Sequence, residues 1–296
     1  MEQVVNFGQE NNLVGILNVG NVEAFKGNIK PTVIILNSGL VHRVGPNRVY
    51  VKLARCLSEK GLDVLRFDFS GIGDSSHRKD NLPFTKSAVQ EVKMAMDWLG
   101  RERLTTVYIL IGICSGADVS FRTACEDPRV VGVVPINLQP PQTATGSELA
   151  TSSFYIGKAS TSLDSWVKFF SGKSNYKNIG KAIAIRLRLA AFPKSGLDSE
   201  TKENVKYFQT KLKIMRNRGL KMLMISSKGE TGAYYLRRLI KHEVDEMVKR
   251  GYLHFEEDLE ADHMFTPLIA QAHLVEIISN WISDSLILPP EKKAIA

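Results

Sequence analysis

Apolar positions along the chain follow two alternating patterns, which predict alternating strands and helices. Short, almost continuously apolar runs, typical of buried strands, cover 33–37, 64–69, 106–111, 130–136 and 221–226. Helical spacing of apolar residues predicts helices at 49–60, 85–99, 115–123, 233–250 and 267–284. A hairpin of 4–7 with 13–19 opens the chain, and a late strand is expected near 252–256. This alternation predicts an α/β fold with a mostly parallel sheet covered by helices on both faces.

Composition agrees with an α/β fold and narrows the class of protein. The 296 residues are 44% hydrophobic and 24% charged, as in soluble globular proteins. No apolar run reaches the roughly 18 residues that a membrane span needs, and the first residues lack the pattern of a secretory signal. The three cysteines form no disulfide framework and no metal-ligand spacing. We therefore expect a cytoplasmic protein with no cofactor and no membrane partner.

The candidate chemistry begins at Gly112-Ile113-Cys114-Ser115-Gly116, between a predicted strand and a predicted helix. This spacing is that of a nucleophile elbow, a strained turn whose flanking positions have no room for a Cβ. The helix that follows points its N-terminus at Cys114, which favours the thiolate. By itself the pattern also fits a buried structural cysteine.

Two further segments accompany the elbow. One is Asp68-Phe69-Ser70-Gly71-Ile72-Gly73-Asp74-Ser75, directly after a strand, and the other is Asp262-His263 near the C-terminus. Together with the elbow they resemble the α/β-hydrolase family, from about Leu13 to about Ile282. The stretch 37–48, NSGLVHRVGPNR, resembles a bacterial subgroup of exosortase-associated and biosynthetic-cluster hydrolases in which the elbow residue is often Cys. The chain more distantly resembles the dienelactone hydrolases, which also have Cys at the elbow.

The strand–helix alternation stops between 139 and 216, where the resemblance implies an inserted lid. The α/β-hydrolase core would then consist of 1–138 and 217–296. The insert holds 13 basic and five acidic residues, an excess of +8 that equals the net charge of the whole chain. Two interpretations remain open: a solvated surface, or attraction of an anionic substrate such as coenzyme A or an acyl-carrier protein. Nucleic acid is disfavoured, because no recognised binding motif is present.

The resemblance implies a catalytic triad. Cys114 would be the nucleophile and His263 the general base. The family places the acid in the loop after the strand at 221–226, where Glu230 is the only carboxylate. Glu is a departure from the Asp that is more common there, so Asp258 and Asp262 remain alternatives. Asp262 adjoins His263 and is better suited to shaping the loop.

The same layout implies an oxyanion hole. Its two backbone N–H groups would come from Ser115 and from Leu40, which follows Gly39 in the loop after the first parallel strand. Asp68 is expected to bind backbone N–H groups of its own turn rather than to take part in chemistry.

These residues predict a hydrolase or acyltransferase that forms an acyl-enzyme on Cys114. A thiolate suits thioesters or activated esters, of the acyl-coenzyme A or acyl-carrier-protein type, in a biosynthetic pathway. The alternative is a catalytically idle α/β-hydrolase fold that serves as a binding or scaffold protein. The sequence leaves the acyl group, the acceptor and the oligomeric state open.

Overall fold

The structure, a computed structural model, describes residues 1–20, 30–139, 199–228, 230, 232–258 and 261–286. Its centre is a sheet of eight strands in the order β1-β2-β4-β3-β5-β6-β7-β8. The strands are β1 Glu2–Phe7, β2 Leu13–Asn18, β3 Thr32–Leu36, β4 Asp63–Phe67, β5 Tyr108–Ile113, β6 Val130–Ile136, β7 Lys221–Ser227 and β8 Leu253–Asp258. Strand β2 pairs antiparallel with both β1 and β4, and every other pair is parallel. The predicted mostly parallel sheet is confirmed.

Helices cover both faces of this sheet. They are α1 Val49–Glu59, α2 Phe84–Arg103, α3 Ser115–Glu126, α4 Ser199–Asn217, α5 Gly232–Leu239, α6 Lys241–Lys249 and α7 Leu268–Leu286. Buried residues of α1 and α7 share one hydrophobic cluster with alternate side chains of the strands. Those of α2 to α6 share a second cluster on the opposite face. The apolar runs of the strands are continuous because both of their faces are buried.

One predicted helix differs from the structure. The apolar spacing predicts a single helix over 233–250, whereas the structure has α5 and α6 with a break at Ile240, whose φ is −125° and ψ is 37°. Ile240 is only 1% exposed. The chain turns where an isoleucine is buried, with no Gly or Pro to mark the break, so tertiary packing decides it.

The insertion predicted over 139–216 lies mostly outside the described residues. Its described part is essentially α4, whose Phe208, Leu212 and Met215 are buried in the cluster shared with α2 and α3. The ring of Phe208 lies 5.4 Å from that of Phe121 on α3. The boundaries of the insertion stay a prediction.

Asp63 ties elements together at the amino end of β4. Its carboxylate accepts the N–H of Gly20 at 2.9 Å and pairs with Lys30 and Arg103, both at 3.0 Å. Burial is the largest single influence on its pKa and would raise it, but these donors outweigh burial and hold the pKa below its usual value.

The sheet order decides where candidate chemistry can meet. Strands β5, β6, β7 and β8 are consecutive parallel neighbours. Their carboxyl ends therefore open at one edge of the sheet, the usual place for ligand sites in such folds. Cys114 follows β5, Asn137 follows β6, Glu230 lies three residues beyond β7 and His263 lies five residues beyond β8.

Candidate active site

Cys114 occupies a strained turn between β5 and α3. Its φ of 57° and ψ of −116° lie in a region that side-chain-bearing residues rarely adopt. A Cβ on Gly112 would lie 2.2 Å from the carbonyl carbon of Gly116, and a Cβ on Gly116 would lie 2.5 Å from the carbonyl oxygen of Asn37. Both glycines are therefore required by close backbone approach. The predicted elbow geometry is confirmed.

Tyr50 on α1 holds the residue before the nucleophile. Its hydroxyl oxygen accepts the N–H of Ile113 at 3.0 Å, beyond the point where β3 stops pairing with β5. Burial raises the pKa of Tyr50 and outweighs the hydrogen bond from Ile113, which lowers it. The phenol is therefore neutral at physiological pH. The sequence carries no signal for this contact, because only the fold brings α1 against the elbow.

His263 and Glu230 form a close pair. The imidazole Nδ1 lies 2.6 Å from Glu230 Oε1, and the side chains are 35% and 15% exposed. The second carboxylate oxygen accepts a hydrogen bond from Gln139 Nε2, also at 2.6 Å. With Nδ1 facing the carboxylate, Nε2 is the ring nitrogen left for another partner. The longer Glu side chain reaches the histidine in spite of its departure from the family pattern.

Asp262 serves the loop and not the imidazole. Its Oδ1 accepts the N–H groups of Met264 at 3.2 Å and Thr266 at 2.8 Å. These bonds, that of Thr266 first, hold the pKa of Asp262 below its usual value. The side chain of Asp258, the other alternative acid, lies outside the described residues.

The loop after β3 lies against the start of α3. The N–H of Gly39 donates to Ser115 Oγ at 2.7 Å, while the N–H of Leu40 has no hydrogen-bond partner in the described part of the chain. Leu40 is 91% exposed. The loop therefore brings the N–H of Gly39 to the residue that follows Cys114, and the role of the Leu40 N–H in an oxyanion hole stays a prediction.

Asp68 binds the loop after β3 through hydrogen bonds that its carboxylate accepts. It is fully buried, and its carboxylate accepts the N–H of Arg43 at 2.6 Å, the N–H of Asp74 at 3.1 Å and the side-chain amide of Asn37 at 3.3 Å. The guanidinium of Arg43 also pairs with it. The prediction that Asp68 binds backbone N–H groups is confirmed.

Comparisons with known proteins identify the fold. The chain matches no protein-family model and no curated protein sequence. Among solved structures it is similar to an α/β serine hydrolase without a lid from Xanthomonas campestris, with 13% identity, a TM-score of 0.54, and 98% of this chain and 97% of that chain covered. An esterase from Pyrococcus furiosus gives 16% identity, a TM-score of 0.56 and coverage of 96% and 90%. A dienelactone hydrolase from Anabaena variabilis gives 14% identity, a TM-score of 0.55, and coverage of 96% of this chain and 97% of that chain.

These similarities establish that the chain has the α/β-hydrolase fold, as the sequence predicts. The described residues contain no helix long and apolar enough to cross a membrane. They also contain no cluster of three or more His, Cys, Asp or Glu side chains arranged to hold a metal ion.

Proposed function

We propose that the protein is a cysteine-dependent hydrolase or acyltransferase that forms an acyl-enzyme on Cys114. The observation that carries the proposal is the 2.6 Å contact of His263 with Glu230, at the same edge of the sheet as a cysteine in elbow geometry. An imidazole oriented by a carboxylate is the arrangement that activates a nucleophile in acyl transfer. The structural neighbours named a serine hydrolase, an esterase and a dienelactone hydrolase support the same reaction class.

In the proposed mechanism His263 takes the thiol proton of Cys114, and the resulting thiolate attacks the acyl carbonyl carbon. The tetrahedral oxyanion is stabilised by the backbone N–H of Ser115 and by one from the loop after β3, with Leu40 as the sequence-based candidate. Collapse breaks the bond to the leaving thiol or alcohol, which receives the proton from the His263 imidazolium. Water or another acceptor, deprotonated by His263, then attacks the acyl-thioenzyme and releases Cys114.

The substrate class follows from the thiol. A thiolate is a strong nucleophile near neutral pH, and its acyl-enzyme is itself a thioester, so exchange with a thioester donor is close to balanced. We therefore infer an acyl thioester or activated ester as substrate. The basic excess predicted for the insert includes Lys202 and Lys206, both exposed on α4, which supports an anionic donor such as coenzyme A or an acyl-carrier protein.

The test is intact-mass measurement after incubation with a panel of acyl-coenzyme A and acyl-phosphopantetheine donors. We expect a mass increase equal to the acyl group, located on Cys114 by peptide mapping and missing in Cys114→Ala. Decay of the adduct in water alone or only with added acceptors separates hydrolysis from transfer. If no donor leaves an adduct and iodoacetamide labels Cys114 no faster than Cys56, the alternative of an idle binding or scaffold protein replaces this proposal.

A further inference from the structure

One buried asparagine at the end of β6 joins the loops that carry Glu230 and His263. Asn137 is fully buried, and its Nδ2 donates to the main-chain carbonyl of His263 at 2.9 Å. Its Oδ1 accepts the N–H of Ser227, the last residue of β7, at 2.8 Å. A single amide group therefore uses its donor side on one loop and its acceptor side on the other.

The backbone around Asn137 reaches the third member of the site. The N–H of Asn137 donates to the carbonyl of Ile225 at 2.9 Å, and the preceding carbonyl, that of Ile136, accepts the N–H of Cys114 at 2.9 Å. Asn137 has a φ of 52°, and Asn is among the few residues with a side chain that tolerate this left-handed conformation. The turn at Asn137 thus contacts the elbow, the acid loop and the histidine loop together.

The Glu230 side of this connection is short. The N–H of Glu230 donates to the carbonyl of Ser227 at 3.1 Å, so the acid is one tight turn away from the residue that Asn137 holds. Among the described residues, the N–H of Lys228 also joins the two loops by donating to the carbonyl of Ala261 at 3.2 Å. The bond from Asn137 is the one of these contacts that holds the main chain of His263 itself.

We propose that Asn137 is a positioning residue that holds the His263 ring in line with Glu230 and with Cys114. This inference rests on the proposed function, because it assigns Asn137 a role only through the histidine that activates the thiol. Removing the side chain takes the partner from the partly buried carbonyl of His263 and from the buried N–H of Ser227, and it lets the histidine loop move away from β6. A displacement of about 1 Å in a catalytic group can lower reactivity by about a hundredfold.

The experiment measures iodoacetamide labelling of Cys114 near neutral pH, which needs no substrate. Asn137→Gly removes both side-chain bonds while tolerating the positive φ, and it should slow labelling by roughly tenfold to a hundredfold. The matched control is Asn81→Gly, at an exposed asparagine with a φ of 50° three residues before α2, and its labelling rate should equal that of the wild type. If Asn137→Gly does not fold, Asn137→Asp keeps the acceptor for Ser227 and, when ionised, lacks the donor to His263.

A double variant separates positioning from general damage. If Asn137 acts through His263, then Asn137→Gly should cause no further slowing in a His263→Ala background. Equal slowing in both backgrounds would mean that Asn137 acts on the elbow itself, and wild-type labelling of Asn137→Gly would also overturn the inference. If His263→Ala alone labels at the wild-type rate, the proposed function fails and takes this inference with it. Slow labelling of His263→Ala with normal labelling of Asn137→Gly refutes only the positioning role.

Discussion

Replacing Glu230 by Gln removes the negative charge beside the His263 ring while keeping the size of the side chain. The neutral amide can still accept a hydrogen bond from Nδ1, so geometry is largely retained. What is lost is the attraction between the carboxylate and the imidazolium that would form, in the proposed mechanism, when His263 takes the thiol proton of Cys114. The prediction is a large fall in thiolate reactivity with little change in folding stability.

The size of this fall can be worked from the geometry. The Nδ1 to Oε1 distance is 2.6 Å, so the centres of the two charges lie about 4 Å apart. At an effective dielectric constant of about 20, the Coulomb attraction between them is about 4 kcal/mol. The side chains are 35% and 15% exposed, and solvent screening reduces the attraction to about half, or about 2 kcal/mol. That energy corresponds to roughly a 30-fold lower rate.

The assay follows the rate constant of iodoacetamide labelling at Cys114 by peptide mass spectrometry near neutral pH. Glu246→Gln is the matched control, since Glu246 on α6 pairs with Arg250, just beyond the end of that helix, and it should label at the wild-type rate. If Glu230→Gln also labels at the wild-type rate while His263→Ala is slow, Glu230 does not act as the acid of the triad.

Three further predictions concern the nucleophile, the fold and the charged surface. Cys114→Ala should abolish acyl-adduct formation with little change in Tm. Cys114→Ser should retain a small residual turnover, because a hydroxyl needs a stronger base. Full activity of Cys114→Ala would show that Cys114 is not the nucleophile. Asp63→Asn should lose about 2 kcal/mol of stability at neutral pH. Because the folded pKa of Asp63 is lowered, its contribution to the free energy of unfolding is complete above the unfolded pKa of about 4 and disappears as pH falls through the folded pKa. Denaturant titrations at several pH values measure the stability difference between the wild type and Asp63→Asn. A difference that stays constant down to low pH would contradict this prediction. The double change of Lys202→Glu with Lys206→Glu should raise the KM for an acyl-coenzyme A or acyl-carrier donor and leave kcat unchanged. The kcat/KM of the wild type should fall with added salt. If KM does not respond to the charge reversal and kcat/KM does not respond to salt, the basic excess is only a solvated surface.

Reactivity of the remaining thiols follows from burial. Cys125 is buried on α3, and burial raises its pKa to about 12. In the folded protein it should resist iodoacetamide near neutral pH, which leaves Cys114 and the partly exposed Cys56 as the thiols to be compared.

Local sequence determined most of the secondary structure and the elbow. The apolar runs become strands and the 3.6-residue spacing becomes helices, because these periodicities act over a few neighbouring residues. The elbow could be predicted for the same reason, since Gly112 and Gly116 permit a turn that any Cβ would block. The break at Ile240 could not be predicted, because nothing in the adjoining residues marks it.

Only the tertiary structure decided how the site residues meet. Three carboxylates were candidates for the partner of His263, and it is the pairing of β6, β7 and β8 that brings Glu230 to the imidazole and turns Asp262 to its own loop. Asn137 and Tyr50 carried no signal in the sequence, since an isolated Asn or Tyr fits many roles. Their contacts join residues far apart along the chain, and such contacts depend on strand order and register, which local periodicity does not encode.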